Sequence, residues 1–481
     1  MQILLLGTYE LGRQPFGLAS PAAWLRARGH AVRQLDLSRQ ALDPLAVRDA
    51  QLIVFYLPMH TATRIALQWL PLLRQKNPSA HLAATGLYAP LNESHLRAAG
   101  FSTVLGPEFE AELAALADAL SSGTAPPQIP ASQPLPRLPF QKPDRAGLPA
   151  LRKYAQVVLP DGGCRIAGYT EATRGCKHLC RHCPVVPVYS GQFRVVPVDV
   201  VLADIRQQVG AGAQHITFGD PDFFNGVTHA TRIAAALHEE FPALTYDVTI
   251  KIEHLLRHTS AVKTLAGTGC LFITSAVESL DDQVLRKLEK GHTREDFFRA
   301  LDLCRETGVA LQPTFIPFTP WTTRESYFAL LEAIAAHDLV SAVPSIQLAI
   351  RLLIPARSRM LELPEIASAV GPFDAEKLIY PWRNPDAALD ALAEELAAIV
   401  AAADAKKLSR AQAFAQIWNA AAALLPETRR TVFHPASANA SGVPFLSEPW
   451  YCCAEPTSDQ LLAVQPLTLA ADPIGSSEGF V

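Results

Sequence analysis

The chain opens on an unbroken apolar run, residues 3–6, closed by Gly7. A short apolar run bounded by a turn former reads as a buried strand. Similar runs recur at 31–37, 52–56 and 82–85, and helical spacing covers 21–28, 63–74 and 109–120, with Ser20 as the first cap and Gly29 as its stop. Alternating strand and helix predict a doubly wound, Rossmann-like α/β module over 1–120. Between 121 and 147 the pattern lapses into Pro, Ser, Gly and Ala, which reads as an extended linker. From 148 to 355 strand-like runs return near 165–171, 214–220, 244–250, 270–278, 309–315 and 345–352, and helical spacing separates them. Six such units predict a partial (β/α)6 barrel, curved but not closed, with ligands at the C-terminal strand ends. Residues 356–430 read as a helical packing region, and 431–481 as a tail with little periodicity.

Composition narrows the class. Of 481 residues 49% are apolar and 18% charged, the balance of a well-packed globular chain with room for two or three domains. A net charge of −4 gives no general attraction to nucleic acid or anionic membranes, so neither is an expected partner. No run of about 20 apolar residues offers a membrane span. The N-terminal apolar run is too short for a signal segment and has no positive charge before it. Eight cysteines, three of them in one loop, point to a reducing, cytoplasmic setting.

That loop carries the sharpest chemistry. Cys176, Cys180 and Cys183 are spaced to hold three corners of a [4Fe–4S] cube, leaving one iron for a ligand that is not protein. Gly175 permits a tight turn into the loop and Pro184 stops regular structure after it. A zinc site completed by His178 or His182 is the bland alternative. Asp220 and Asp222 end the second barrel strand, where a simple Gly-Asp-Pro turn is the alternative. Lys251 and Glu253 follow the third strand, Glu278 ends the fourth, and Arg351 ends the sixth, where it is placed to pair with a carboxylate. Each has a surface or structural ion pair as its plain reading. Cys452 and Cys453 are adjacent: strained as a disulfide, they make a soft chelate when reduced, or two small apolar residues in a docked tail. Cys304 reads as core and Cys270 starts a strand at the wrong end for chemistry. Cys164 is a candidate third soft ligand.

The cysteine loop, the α/β units and their order together resemble the radical SAM superfamily. The resemblance implies a [4Fe–4S] cluster, S-adenosylmethionine (SAM), an external electron donor and reductive cleavage of SAM. It implies that Asp220 and Asp222 meet the SAM amino group, although the usual glycines and glutamate of that motif are not spelled out, and that Lys251 and Glu253 reach its ribose or carboxylate. The Ser-Ala-Val-Glu-Ser run at 275–279 and Lys-Gly-His-Thr at 290–293 resemble members with an N-terminal cobalamin-binding-like domain. Residues 15–32, with Gly17, Leu25, Gly29 and His30, resemble that domain itself. The cobalt-ligating Asp-x-His-x-x-Gly signature is missing, so the resemblance leaves cobalamin as an option and favours a cofactor-free module that helps close the site. Trp450 to Pro456 is similar to the tail of CCAEP-tail radical SAM proteins, and the chain resembles the radical SAM enzyme of arsinothricin biosynthesis. The expected function is transfer of a 3-amino-3-carboxypropyl group from SAM to trivalent arsenic, supplied as arsenite and held by Cys452 and Cys453. The rivals are a cobalamin-dependent methyltransferase, a radical SAM enzyme acting on an organic substrate, and a non-catalytic thiol or metal sensor.

Overall fold

The structure, a computed structural model, describes residues 1–125, 127, 135–435, 442–448, 455, 456 and 461. Its first unit is a five-stranded parallel sheet of β1 (Gln2–Gly7), β2 (Ala31–Asp36), β3 (Leu52–Tyr56), β4 (His81–Thr85) and β5 (Thr103–Val104), in the order β2-β1-β3-β4-β5. Its central strands are buried on both faces, which is why they read as continuous apolar runs. Leu18 and Leu25 of helix Phe16–Ala27 cover Ile3 and Leu5 on one side. Ile65 and Leu73 of helix His60–Lys76 cover Leu4 and Ile53 on the other. Strand order reverses between β1 and β3, so this unit offers its ligand crevice at their C-terminal ends. The first helix begins at Phe16, five residues before the expected start, and carries Pro21 inside it. Ser20 is no cap; its hydroxyl donates to Glu110 at 2.6 Å.

The second unit contains β6 (Gln156–Val158), β7 (Cys164–Thr170), β8 (Thr173–Gly175), β9 (Phe193–Val195), β10 (His215–Phe218), β11 (Thr245–Thr249), β12 (Cys270–Glu278), β13 (Ala310–Phe315) and β14 (Phe445–Leu446). The curled sheet runs β13-β12-β11-β10-β7-β6-β14, and β7, β10, β11, β12 and β13 are parallel. At the sixth place there is no strand. Ser345–Leu348 is a 3-10 turn, and one parallel bridge joins Phe318 to Arg351. The cause is local: the Gln347 side chain accepts the Phe315 N–H at 3.1 Å, taking a donor that a sixth strand would use. Helices such as Val198–Gly210 and Arg294–Thr307 cover the outer face, and Ala387–Ala405 and Arg410–Ala423 pack beyond them, Trp418 against Phe328 at 4.8 Å. No described helix is long and apolar enough to cross a membrane.

Two buried arginines tie the units together. Arg145 grips Asp204 with two bonds of 2.7 Å and donates to Gln14 and to the Tyr169 carbonyl. Arg174 lies 2.7 Å from Glu110 of the first unit, 2.8 Å from Glu171, and 3.6 Å from Glu108. Removing the cation of such a buried group leaves uncompensated carboxylates. Arg174→Met is expected to destabilise the chain by about 3–5 kcal/mol, read as a lowered urea midpoint. Arg174→Lys recovers only part, because an ammonium cannot reach three carboxylates at once.

The tail returns across this junction. β14 pairs with β6, Glu448 lies 3.0 Å from Arg39, and the Glu455 N–H faces the Arg351 carbonyl at 3.4 Å.

Candidate active site at the cysteine loop

The loop is built by the corner that follows β7. β8 and β9 form a small antiparallel ribbon, and the cysteines occupy the connection between them, ahead of the short helix Val186–Tyr189. Gly175 takes φ +78°, and a Cβ there would lie 2.2 Å from the Tyr189 ring, so only glycine fits. Asn225 pins the loop, accepting the Lys177 N–H at 3.1 Å and donating to the Gly175 carbonyl at 3.0 Å. Cys180 is buried, and Cys176 and Cys183 are half-buried. All three line a cavity of about 220 Å³ together with Asp220, Lys251, Glu278 and Lys290 from the strand ends. Burial pushes the Cys176 thiol up to about 12. A buried thiol set of this kind becomes thiolate when a metal takes the protons' place, and three thiols fit an iron–sulfur cube with one free iron.

Glu278 is the best-defined polar group. It sits at a register shift in the β12–β13 ladder with φ +69°, a left-handed conformation that costs a non-glycine residue energy. The twist aims its carboxylate inward, where Lys290 Nζ donates at 3.2 Å and His182 Nε2 lies at 3.0 Å. Burial alone would raise its pKa, yet Lys290 and His182 hold it down at about 2. Lys290 keeps its proton in turn: burial opposes the charge, and Glu278 and the Cys180 thiol favour it.

The other candidates separate by depth. Asp220 lines the cavity, but its oxygens already accept the Ala172 N–H at 2.9 Å and the Thr173 hydroxyl at 2.5 Å, which fixes the β7–β8 corner. Burial raises its pKa to about 7. Lys251 also lines the cavity, 3.7 Å from Glu253. Asp222 stands behind the wall: it accepts the Phe224 N–H at 3.0 Å and lies 2.6 Å from His254 and 3.3 Å from His178. Burial works to raise its pKa, but the two imidazoles hold it at about 2. Glu253 turns to Arg257 at 2.8 Å. Arg351 is committed elsewhere, to Asp390 at 2.6 Å, the Trp382 carbonyl at 3.0 Å and the Trp382 ring at 4.1 Å. The Nε2 atoms of both loop histidines are engaged, His182 by Glu278 and His178 by Asp222 and His254. Cys164 begins β7 and Cys270 begins β12, at the opposite strand ends from the cysteine loop. Cys304 is buried in the core as expected. Cys452 and Cys453 lie outside the described residues.

Glu10, Arg13, Met59 and Tyr88 also line the cavity, and sequence reasoning did not single them out. They come from loops after β1, β3 and β4 of the first unit. The available signal was the rule that α/β sheets present ligands at C-terminal strand ends.

Residues 170–330 match the family model described as Radical SAM superfamily. A tRNA-2-methylthio-N(6)-dimethylallyladenosine synthase of Fusobacterium nucleatum is 27% identical over 176 residues, 34% of this chain and 39% of that protein. Hopanoid C-3 methylase of Methylococcus capsulatus is 25% identical over 151 residues, 31% of this chain and 29% of that one. The chain thus spans under two fifths of the length of either relative. Among solved structures, the radical SAM methyltransferase TsrM of Kitasatospora setae superposes with TM-score 0.59 at 18% identity, covering 77% of both chains. The cobalamin-dependent radical SAM enzyme OxsB, with aqua-cobalamin and SAM bound, superposes with TM-score 0.61 at 15% identity, covering 82% of this chain and 66% of its own. At these identities the likeness is one of fold. The family match, the curled parallel sheet and the three thiols at one cavity together identify residues 170–330 as a radical SAM domain.

Proposed function

We propose that this chain is a radical SAM enzyme that cleaves SAM reductively in the cavity at the cysteine loop. The observation that carries this reading is the convergence of Cys176, Cys180 and Cys183 with Lys251, Glu278 and Lys290 on one cavity at the strand ends. A cluster held by Cys176, Cys180 and Cys183 would supply, when bound, the one-electron reduction of the SAM sulfonium, drawing on an external donor. The chain's own part is to hold and orient. The three cysteines would hold the cluster and leave it a position for SAM. Glu278 and Lys290 set fixed opposite charges in the wall, and Asp220 locks the corner that carries the loop. Met59 and Tyr88 close the cavity from the first unit and exclude water.

The finer reading is transfer of the 3-amino-3-carboxypropyl group of SAM to trivalent arsenic held by Cys452 and Cys453. Paired thiols suit a soft ion. Glu455, two residues past the pair, meets the Arg351 backbone beside the end of the barrel, and Glu448 before it meets the first unit. The reaction balances: SAM and arsenite become methylthioadenosine and an alkylarsonate, one proton is released, and the initiating electron is returned as arsenic goes from the trivalent to the pentavalent state. Likeness of fold to TsrM and OxsB favours a second reading, corrinoid-dependent methyl transfer.

Anaerobic incubation of the cluster-loaded chain with dithionite and SAM, with and without arsenite, separates these. The expected product is methylthioadenosine, with a carbon–arsenic product only when arsenite is present. Cys452→Ser/Cys453→Ser is expected to lose arsenite binding. 5′-Deoxyadenosine as the product overturns the arsenic reading and leaves SAM cleavage standing; no cleavage with an intact cluster overturns both.

A further inference from the structure

We infer that the N-terminal unit of this chain holds no corrinoid, and that the space such a cofactor needs is closed by the chain's own side chains. The crevice of this sheet lies where strand order reverses, between β1 and β3. Tyr56, the last residue of β3, fills it. Its ring lies across helix Phe16–Ala27 so closely that a Cβ on Gly17 would stand 2.1 Å from the ring, and it packs on Phe109 at 6.1 Å. Gly86, after β4, closes over the Leu57 carbonyl, where a Cβ would stand at 2.9 Å. Arg174 then bars the mouth by joining Glu110 to Glu171, and Tyr189 donates to Glu108 at 2.7 Å beside it.

What remains is small. One space of about 170 Å³ lies between Tyr56, Tyr169 and Arg174, next to the cavity of about 220 Å³ at the cysteines. A corrinoid with its nucleotide tail is far larger than SAM, and on the side of the first unit only the space of about 170 Å³ is left for it. The donor set agrees. His178 and His182 of the cysteine loop are the sole histidines lining either space among the described residues. His60, after β3, lies on the Lys377 carbonyl through Nε2 at 2.8 Å and lines neither space. The loop after β1 instead presents Glu10, which lines both spaces; its Oε2 is buried and without a hydrogen-bond partner among the described residues. The unit is therefore a fixed wall of the SAM cavity, and Glu10 is the acidic group that wall offers to an occupant. This inference does not depend on which bond of SAM breaks.

The test uses the full chain, reconstituted anaerobically with iron, sulfide and hydroxocobalamin, and also isolated from cells fed hydroxocobalamin. After gel filtration, iron and cobalt are measured by mass spectrometry, and SAM cleavage is timed with and without the corrinoid. The expected result is a full iron complement, cobalt far below one per chain, and an unchanged cleavage rate. Cobalt at one per chain with a shifted corrin spectrum, or cleavage that rises on adding the corrinoid, overturns the inference. Because the cluster and SAM cleavage are read in the same samples, its failure is distinct from failure of the radical SAM reading.

Discussion

Cys180→Ala is expected to abolish SAM cleavage to the uncatalysed background and to strip the chain of its cluster. Cys180 is the buried member of the three thiols, in a loop held from both sides by Asn225 and by the bond from the Arg181 N–H to the Leu288 carbonyl, 2.9 Å. The loop's position is thus set by the protein, and the thiol alone is missing in the variant. Iron content and the visible absorption of the reconstituted protein should collapse together, while far-ultraviolet circular dichroism is retained and the urea midpoint shifts by no more than about 1 kcal/mol equivalent, in the range for a small buried truncation. Retention of full iron and activity would remove Cys180 from the metal site.

The second large effect concerns Glu278. Its carboxylate is the partner of Lys290, and both are buried. Deleting one member of a buried ion pair costs about 3–5 kcal/mol, because the other charge is left without compensation. Glu278→Ala is therefore expected to lower the urea midpoint strongly and to weaken SAM binding. Glu278→Gln keeps a hydrogen-bond acceptor and should fall between. The left-handed backbone at this residue sharpens the expectation: its strain is retained by the native chain, and strain of this kind gathers at functional sites. An alanine variant with native stability and native SAM affinity would contradict the placement of Glu278 in the site.

Much of this architecture is legible in the sequence, and for a physical reason. Parallel strands buried on both faces read as continuous apolar runs, so β1 and β3 announce themselves. The cysteine loop is legible because three ligands on one short segment leave their spacing in the chain. What depends on long-range packing is not. Asp220 and Asp222 look equivalent in sequence, yet the turn between them sends one to the cavity wall and the other to His178 and His254 behind it. Arg351 looked like a strand-end ligand, but Gln347 takes the place of the sixth strand's acceptor and Arg351 is drawn to Asp390 and Trp382. Glu10 lines one cavity with Tyr169 and the cysteines only because two units far apart in the chain close on one another, and no local pattern carries that.

Electron paramagnetic resonance of the reduced, reconstituted chain asks whether the cysteine loop and the cavity beside it hold a cluster whose open iron takes SAM. The expected result is the signal of a reduced [4Fe–4S] cluster whose g-values shift when SAM is added, and no such signal in Cys180→Ala. A cluster signal indifferent to saturating SAM would contradict it, because three thiols would then hold a cluster that offers SAM no iron.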